Sequence, residues 1–457
     1  MFRSRKDINM TQGVIWKQIV AFAIPLLIGN LFQQLYNTVD SVVVGHFVGK
    51  EALAAVGSVG PVINSLVGFF MGLGTGAGVV ISRYFGAGDR EGLSRAVHTT
   101  IMLTVIAALF CTVMGIALVP NMLRLMSTPD DVFNESATYL RIYFFGIAGL
   151  MLYNIGSSIL RAVGDSRRPL YFLCISALMN IVLDLLFVVA FRWGIAGVAW
   201  ATLVSQAISA VLVMALLMRT DAAYRVSLKK LAIDGGILKR IIQIGLPSGI
   251  QSSIISFSNV FVHGYINAFG STAMAGWTSY AKVEAFISLP MQSIALTSTT
   301  FVGQNLGAGD LERTKKGIRT SLFMSLGATV LLSFSAVLFS TPLLRLFSTD
   351  ADVLEAGREI VFATCPFYFG SCFTQIYAGA LRGAGRSTPP TIITLFFYVA
   401  FRQTYLFIVS RTVGTLAAVS FGFPLAWILA GITTAVYFFR CNWEKDALTR
   451  GPSARKA

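Results

Sequence analysis

The sequence predicts an all-α polytopic membrane protein: twelve transmembrane helices in two pseudo-symmetric six-helix lobes around a central cavity. Three observations predict it. Of 457 residues, 55% are hydrophobic and 12% charged, with a mean hydropathy of +0.71, whereas a soluble domain carries about 25% charged residues. Twelve apolar runs are long enough to cross about 30 Å of hydrocarbon. The chain also repeats itself at an offset of 221 residues.

In order, the expected spans cover 16–44, 52–82, 93–119, 131–160, 167–190, 194–218, 240–268, 273–303, 317–341, 352–380, 388–410 and 414–439. Span 1 holds Pro25, which removes a backbone hydrogen bond and permits a bend. It also holds Asp40, with Tyr36 and Asn37 four and three residues before it and so on its face. Span 2 contains GLGTGAG at 72–78, which has no preceding strand to make it a nucleotide loop. Small residues at that spacing allow close helix packing. Span 5 contains YFLCISALMNIVLDLLFVVA at 171–190, where Asp184 and Asn180 stand four apart on one face. A carboxylate at that depth costs roughly 2.5 kcal/mol or more and marks ion or substrate paths.

Basic residues set the orientation. With the N-terminus inside, cytoplasmic segments hold 27 Lys and Arg against 5 in external loops. The net charge of +15 is therefore a positive-inside signature and needs no nucleic-acid partner. Both termini are expected in the cytoplasm of a prokaryote, with the chain in its inner membrane. The first ten residues are polar, and the apolar run that follows is too long for a signal peptide. Five cysteines (Cys111, Cys174, Cys365, Cys372, Cys441) form no metal or CxxC pattern and read as thiols. Three scattered histidines make no metal centre.

The repeat aligns Gly86-Ala87-Gly88-Asp89 with Gly307-Ala308-Gly309-Asp310, Leu160-Arg161 with Leu381-Arg382, and Pro169 with Pro390. Pro25 meets Pro247 with one residue of slippage. Six spans per half make the halves parallel repeats, an arrangement suited to lobes that rock about a cavity. The expected organisation is an N-lobe over 1–218, a basic linker over 219–239, a C-lobe over 240–445 and a tail over 446–457. The GAGD turns read as helix punctuation, with Gly permissive and Asp able to cap.

Counting about 1.5 Å per residue from the outer span ends puts Asp40, Tyr139, Asn180, Asp184 and Thr202 at similar depth, roughly 6–15 Å in. Two acids, an amide, a hydroxyl and a phenol suit a proton or a small hard cation. The repeat places Phe261 and Tyr405 opposite Asp40 and Asp184, so the ion site is expected in one lobe. The C-lobe carries Lys282, Glu284 and Arg402 instead. Lys282 and Glu284 are two apart and do not face each other, so each needs a partner elsewhere.

Over residues 12–445 the chain resembles the MATE (multidrug and toxic compound extrusion) transporters. The resemblance rests on IPLLIGNLFQQLYNTVDSVVVGHFVG, the paired RYFGAGD and QNLGAGD, LRAVGDSRRP with LRGAGRSTPP, and AKVEAFISLP, in this order and spacing. It looks like the DinF-type branch, whose acids in helices 1 and 5 fall on Asp40 and Asp184. Asn180 and Thr202 match that branch's other cation ligands, and Tyr139 and Asn154 its supporting network. The glutamate of helix 7 and aspartate of helix 10 of the NorM-type branch are missing. The resemblance implies efflux of cationic, amphipathic compounds against inward H⁺ or Na⁺, without a cofactor. We expect a monomer in contact with membrane lipid.

Three alternatives differ in kind. A lipid-linked precursor flippase of the same broader superfamily would use basic residues such as Lys282 and Arg402. A membrane-embedded enzyme would need a nucleophile or metal cluster that the sequence lacks. A major-facilitator carrier would carry its own charged motif where RYFGAGDREGLSR stands.

Overall fold

The computed structural model describes residues 8–126 and 128–444, apart from the side chains at positions 37, 40–42, 50–51, 53–54, 58 and 61. The expected tail over 446–457 and the side chains of Asn37 and Asp40 lie outside the described residues.

Among the described residues the regular elements are all helices. The N-terminal half comprises α1 (Ile15–Val43), α2 (Lys50–Gly86), α3 (Arg90–Leu125), α4 (Asp130–Ala162), α5 (Arg167–Asp184) and α6 (Gly194–Arg219). The C-terminal half comprises α7 (Gly235–Asn267), α8 (Ser271–Gly307), α9 (Leu311–Leu338), α10 (Ser340–Arg345), α11 (Ala351–Thr364), α12 (Phe369–Gly383), α13 (Thr388–Leu395), α14 (Arg402–Thr412), α15 (Leu416–Ser420) and α16 (Gly422–Arg440). Among the described residues, ten helical stretches are long and apolar enough to cross a membrane on their own. The other two expected spans differ for visible reasons. Helix α7 carries Gln251, Ser252, Ser253, Ser256, Ser258 and Asn259, which dilute its hydropathy. The expected helix over 352–380 breaks into α11 and α12 at a 3-10 turn, Cys365–Phe367, because Pro366 cannot continue the α pattern.

Both GAGD turns punctuate alike. Gly88 and Gly309 take positive φ, 65° and 80°. Asp89 Oδ1 then accepts from Gly92 N–H at 2.9 Å to start α3, and Asp310 Oδ1 from Arg313 N–H at 2.8 Å to start α9.

Each lobe has one apolar cluster near the basic face and one near the opposite face, and two helices pass between lobes. The first half of α1 (Ile19, Phe22, Ala23, Leu26) packs with Ile294, Phe301 and Leu381 of the C-terminal half. Its far end, Val43, packs with Val132, Leu140 and Val198 of the N-terminal half. Helix α7 mirrors this: Ile237, Ile241 and Ile244 join Ile101 and Leu217, while Val262 and Ile266 join Trp277 and Tyr280. Pro25 and Pro247 stand near the two crossings. The roots of α1 and α7 are thus exchanged across the division that chain order suggests.

The seam between halves is tight. A Cβ on Gly72 would stand 2.2 Å from Gly249 N, and one on Gly76 2.5 Å from Gly245 N, so the GLGTGAG stripe serves helix contact. At the basic face, Arg83 Nε donates to Gly383 O at 3.3 Å and Gln304 Nε2 to Ala162 O at 2.8 Å. These two bonds are repeat-equivalent: Arg83 and Gln304 are related by the 221 offset, and so are Ala162 and Gly383. The N-terminal segment straps the same seam. Ile8 N–H donates to Gly164 O, and Met10 N–H to Gln304 Oε1; Met10 O accepts from Asn305 Nδ2 and Arg313 Nε.

Candidate functional site

A cavity of about 270 Å³ opens among α1, α2, α4, α5 and α6 of the N-terminal half, with Leu296 of α8 at its edge. Its wall includes Pro25, Tyr36, Tyr139, Asn154 and Thr202, five of the residues singled out from the sequence. Local helix chemistry positions them. Asn154 Nδ2 donates to Leu150 O at 2.9 Å within α4. Ser176 Oγ of α5 donates to Ser205 O at 2.7 Å, and Ser205 Oγ to Thr202 O at 2.9 Å, which fixes α5 against α6. Thr202 Oγ1 is buried with no hydrogen-bond partner among the described residues.

Asn180 and Asp184 follow Ser176 by one and two turns of α5. Both are fully buried, at 0% exposure, and neither lies in the cavity wall itself. At Asp184 the α-helix ends and a π-helical stretch, Leu185–Ala190, begins. Such bulges widen the backbone spiral and frequently accompany functional sites. The backbone at Asn37 and Asp40 is helical and belongs to α1, which packs on α5.

Sequence reasoning missed several wall residues: Gln33, Asn64, Tyr153, Arg161 and Gln206. Tyr153 Oη donates to Pro169 O at 3.1 Å. Beside the wall, Asp165 shapes the α4–α5 turn. Its Oδ1 accepts from Arg167 and Arg168 N–H, both at 3.1 Å, and its Oδ2 stands 3.1 Å from Arg168 Nε. Burial pushes the Asp165 carboxyl up from the ordinary aspartate range, against the pull of Arg168 and Arg167.

The C-lobe candidates separate. Lys282 is exposed. Arg402 is 3% exposed; its Nη2 donates to Asn259 Oδ1 at 2.8 Å and Ser258 Oγ at 3.3 Å, and its guanidinium lies 4.8 Å from the Phe423 ring. Half-buried Glu284 lies within electrostatic reach of Arg402, beside Tyr280 and Tyr368. Arg402 opens α14 directly after another π-helical stretch, Phe396–Phe401. The repeat position of Asp184, Tyr405, donates instead to Ala418 O at 3.0 Å.

Chemically, the N-lobe cavity offers oxygen and amide ligands next to a buried acid. The C-lobe cluster holds its cation on an amide, a hydroxyl and an aromatic face.

The MatE family profile matches residues 25–186 and again 247–408. Over 447 residues the chain is 28% identical to "Probable multidrug resistance protein YoeA" of Bacillus subtilis (strain 168), covering 95% of this chain and 96% of that one. It is 26% identical to an "FAD transporter" of Shewanella oneidensis, over 85% of this chain and 86% of the other. Among solved structures, an outward-facing MATE transporter of the MOP superfamily superposes with a TM-score of 0.90 at 24% identity, covering 97% of this chain and 99% of that one. These coverages are near complete, and the doubled match follows the internal repeat. The chain belongs to the MATE family of membrane transporters.

Proposed function

We propose that the protein is an antiporter that exports amphipathic cationic compounds in exchange for H⁺ or Na⁺, by alternating access. The observation that carries the proposal is the convergence of Tyr36, Tyr139, Asn154 and Thr202 on one cavity, with Asn180 and Asp184 buried on the adjoining wall helix. In this reading the ion binds Asp40, Asn180, Asp184 and Thr202, and Tyr36, Asn37, Tyr139 and Asn154 support it. The unpartnered Thr202 hydroxyl supplies a neutral oxygen. The multidrug names of relatives such as YoeA support an efflux role. The basic face is the cytoplasmic one in this reading, as the positive-inside rule requires. The protein acts as a monomer in the inner membrane.

The physical requirement is a difference in ion and cargo affinity between two lobe arrangements of a few kcal/mol. Neutralising the acids at the far end of α1 and on α5 lowers the cavity's attraction for a cationic cargo, which then leaves outward. Vesicle transport with Na⁺ and pH gradients imposed separately tests this. We expect Asp40→Asn and Asp184→Asn to lose most ion-driven efflux. Full efflux by both variants sinks the proposal.

A second reading concerns the cargo. Arg161 lies in the cavity wall, and the likeness to an FAD transporter supports an anionic, ring-bearing cargo. Uptake of a flavin nucleotide and of an organic cation, compared in the same vesicles, separates the two.

A further inference from the structure

A second and larger recess lies on the outside of the C-lobe at the basic face. It encloses about 650 Å³ between the first turns of α9 and the end of α16, both of which lean on α12. Its walls are aromatic. Tyr377 of α12 faces Phe438 at 4.7 Å between ring centroids, and Phe438 stacks on Trp443 at 5.2 Å. Its mouth is basic. The Arg319 guanidinium lies 5.5 Å from the Phe323 ring, and Lys315 Nζ stands 3.0 Å from Glu444.

The internal repeat says what such a recess is for. Under the 221 offset, Ile318, Arg319, Leu322 and Phe438 correspond to Val97, His98, Ile101 and Leu217. In the N-lobe that place is filled: the segment after α6 folds back, burying Tyr224 and Val226 against Val97, Ile101 and Leu217. His98 Nε2 accepts the Ser227 N–H at 3.0 Å, and Val226 N–H returns to Leu217 O at 2.9 Å. The C-lobe has replaced the histidine that holds this plug by Arg319, a permanent cation. After α16 the chain fills this place only in part: Trp443 folds back against Ile318, Leu322 and Phe438 and leaves the recess beside it. Positions 445–457, KDALTRGPSARKA, contain no aromatic residue and four basic ones against one acid, a composition unlike that of the N-lobe plug.

We propose that this recess binds an anionic glycerophospholipid from the leaflet on the basic face. The headgroup phosphate pairs with Arg319 and Lys315, and one acyl chain lies along Phe323, Tyr377 and Phe438. Basic pockets between helices at this membrane level recognise such headgroups, and planar guanidinium suits phosphate oxygens.

Native mass spectrometry of the detergent-purified full chain, titrated with phosphatidylglycerol, phosphatidylcholine or inorganic phosphate, tests the proposal. Phosphatidylglycerol should stay bound where phosphatidylcholine and phosphate do not. Lys315→Gln with Arg319→Gln should weaken it roughly tenfold or more. Leu322→Trp, which fills the recess without touching charge, should abolish it. Equal retention of phosphatidylcholine, binding of phosphate alone, or unchanged binding in both variants overturns the proposal. So does binding of phosphatidylglycerol that appears only after residues 445–457 are deleted, since the tail would then be the occupant.

Discussion

Asp165 and Asp184 are two buried acids of one lobe. Asp165 sits in the α4–α5 turn with two backbone N–H donors and Arg168 around it. Even so, burial raises its pKa above the ordinary aspartate value. A raised value in the folded state means that stability linked to this group is complete below its unfolded pKa and is lost as pH rises through the folded one. Asp165→Asn removes a contribution that favours the folded state at low pH, so it should steepen the loss of stability on acidification, read as the midpoint of thermal denaturation between about pH 3 and 6; an unchanged limb refutes that role. Asp184 stood out in the sequence because a charge inside an apolar run is costly and has to be satisfied there. Gln304 was not: an uncharged amide in a helix carries no signal until its partner, Ala162 O, is known. The pairing of Arg402 with Asn259 was hidden for the same reason, since contacts between distant helices leave no spacing in the chain.

At the scale of elements, α2 contains its own control. A side chain at Gly72 meets the backbone of Gly249, whereas one at Gly57 meets nothing within 4 Å. Gly72→Ala should cost about 1–3 kcal/mol by forcing α2 and α7 apart, and Gly57→Ala should leave the detergent melting temperature nearly unchanged. Equal effects would show that the α2–α7 approach is dispensable. The sequence spelled out this stripe, together with both GAGD turns, because glycine spacing and caps are local features. The breaks at Pro366 and before Arg402 were harder to read. A proline within a span permits either a bend or a stop, and a π stretch adds a residue to the spiral without a consensus residue type.

At the scale of the whole molecule, the basic face is closed by two repeat-equivalent bonds, from Arg83 to Gly383 O and from Gln304 to Ala162 O. Each is worth about 1 kcal/mol to the arrangement that contains it. Arg83→Ala with Gln304→Ala should shift the population towards opening at this face, read as a longer distance between spin labels placed on the α2–α3 and α8–α9 turns. An unaltered distance distribution would show that the glycine seam and the N-terminal strap hold the halves together without these two bonds. The doubled fold was visible in the sequence through the 221 offset. The exchange of roots between α1 and α7 was not, because chain order says which helices come first and nothing about where their ends are seated.

That exchange makes α1 a rod clamped in two housings. Ile19 and Phe22 hold one end in the C-lobe, and Val43 holds the other in the N-lobe. When two housings turn against each other, a rod fixed in both must flex or slip. Pro25 is its weakest section, lacking one ladder hydrogen bond. The lower clamp is reinforced by the three contacts of Met10 with Gln304, Asn305 and Arg313, against one from Ile8 to Gly164. Slip therefore favours the N-lobe end, where Tyr36 faces the cavity. A torque applied at that end reaches the opposite lobe along the backbone itself, with no relay of side chains in between.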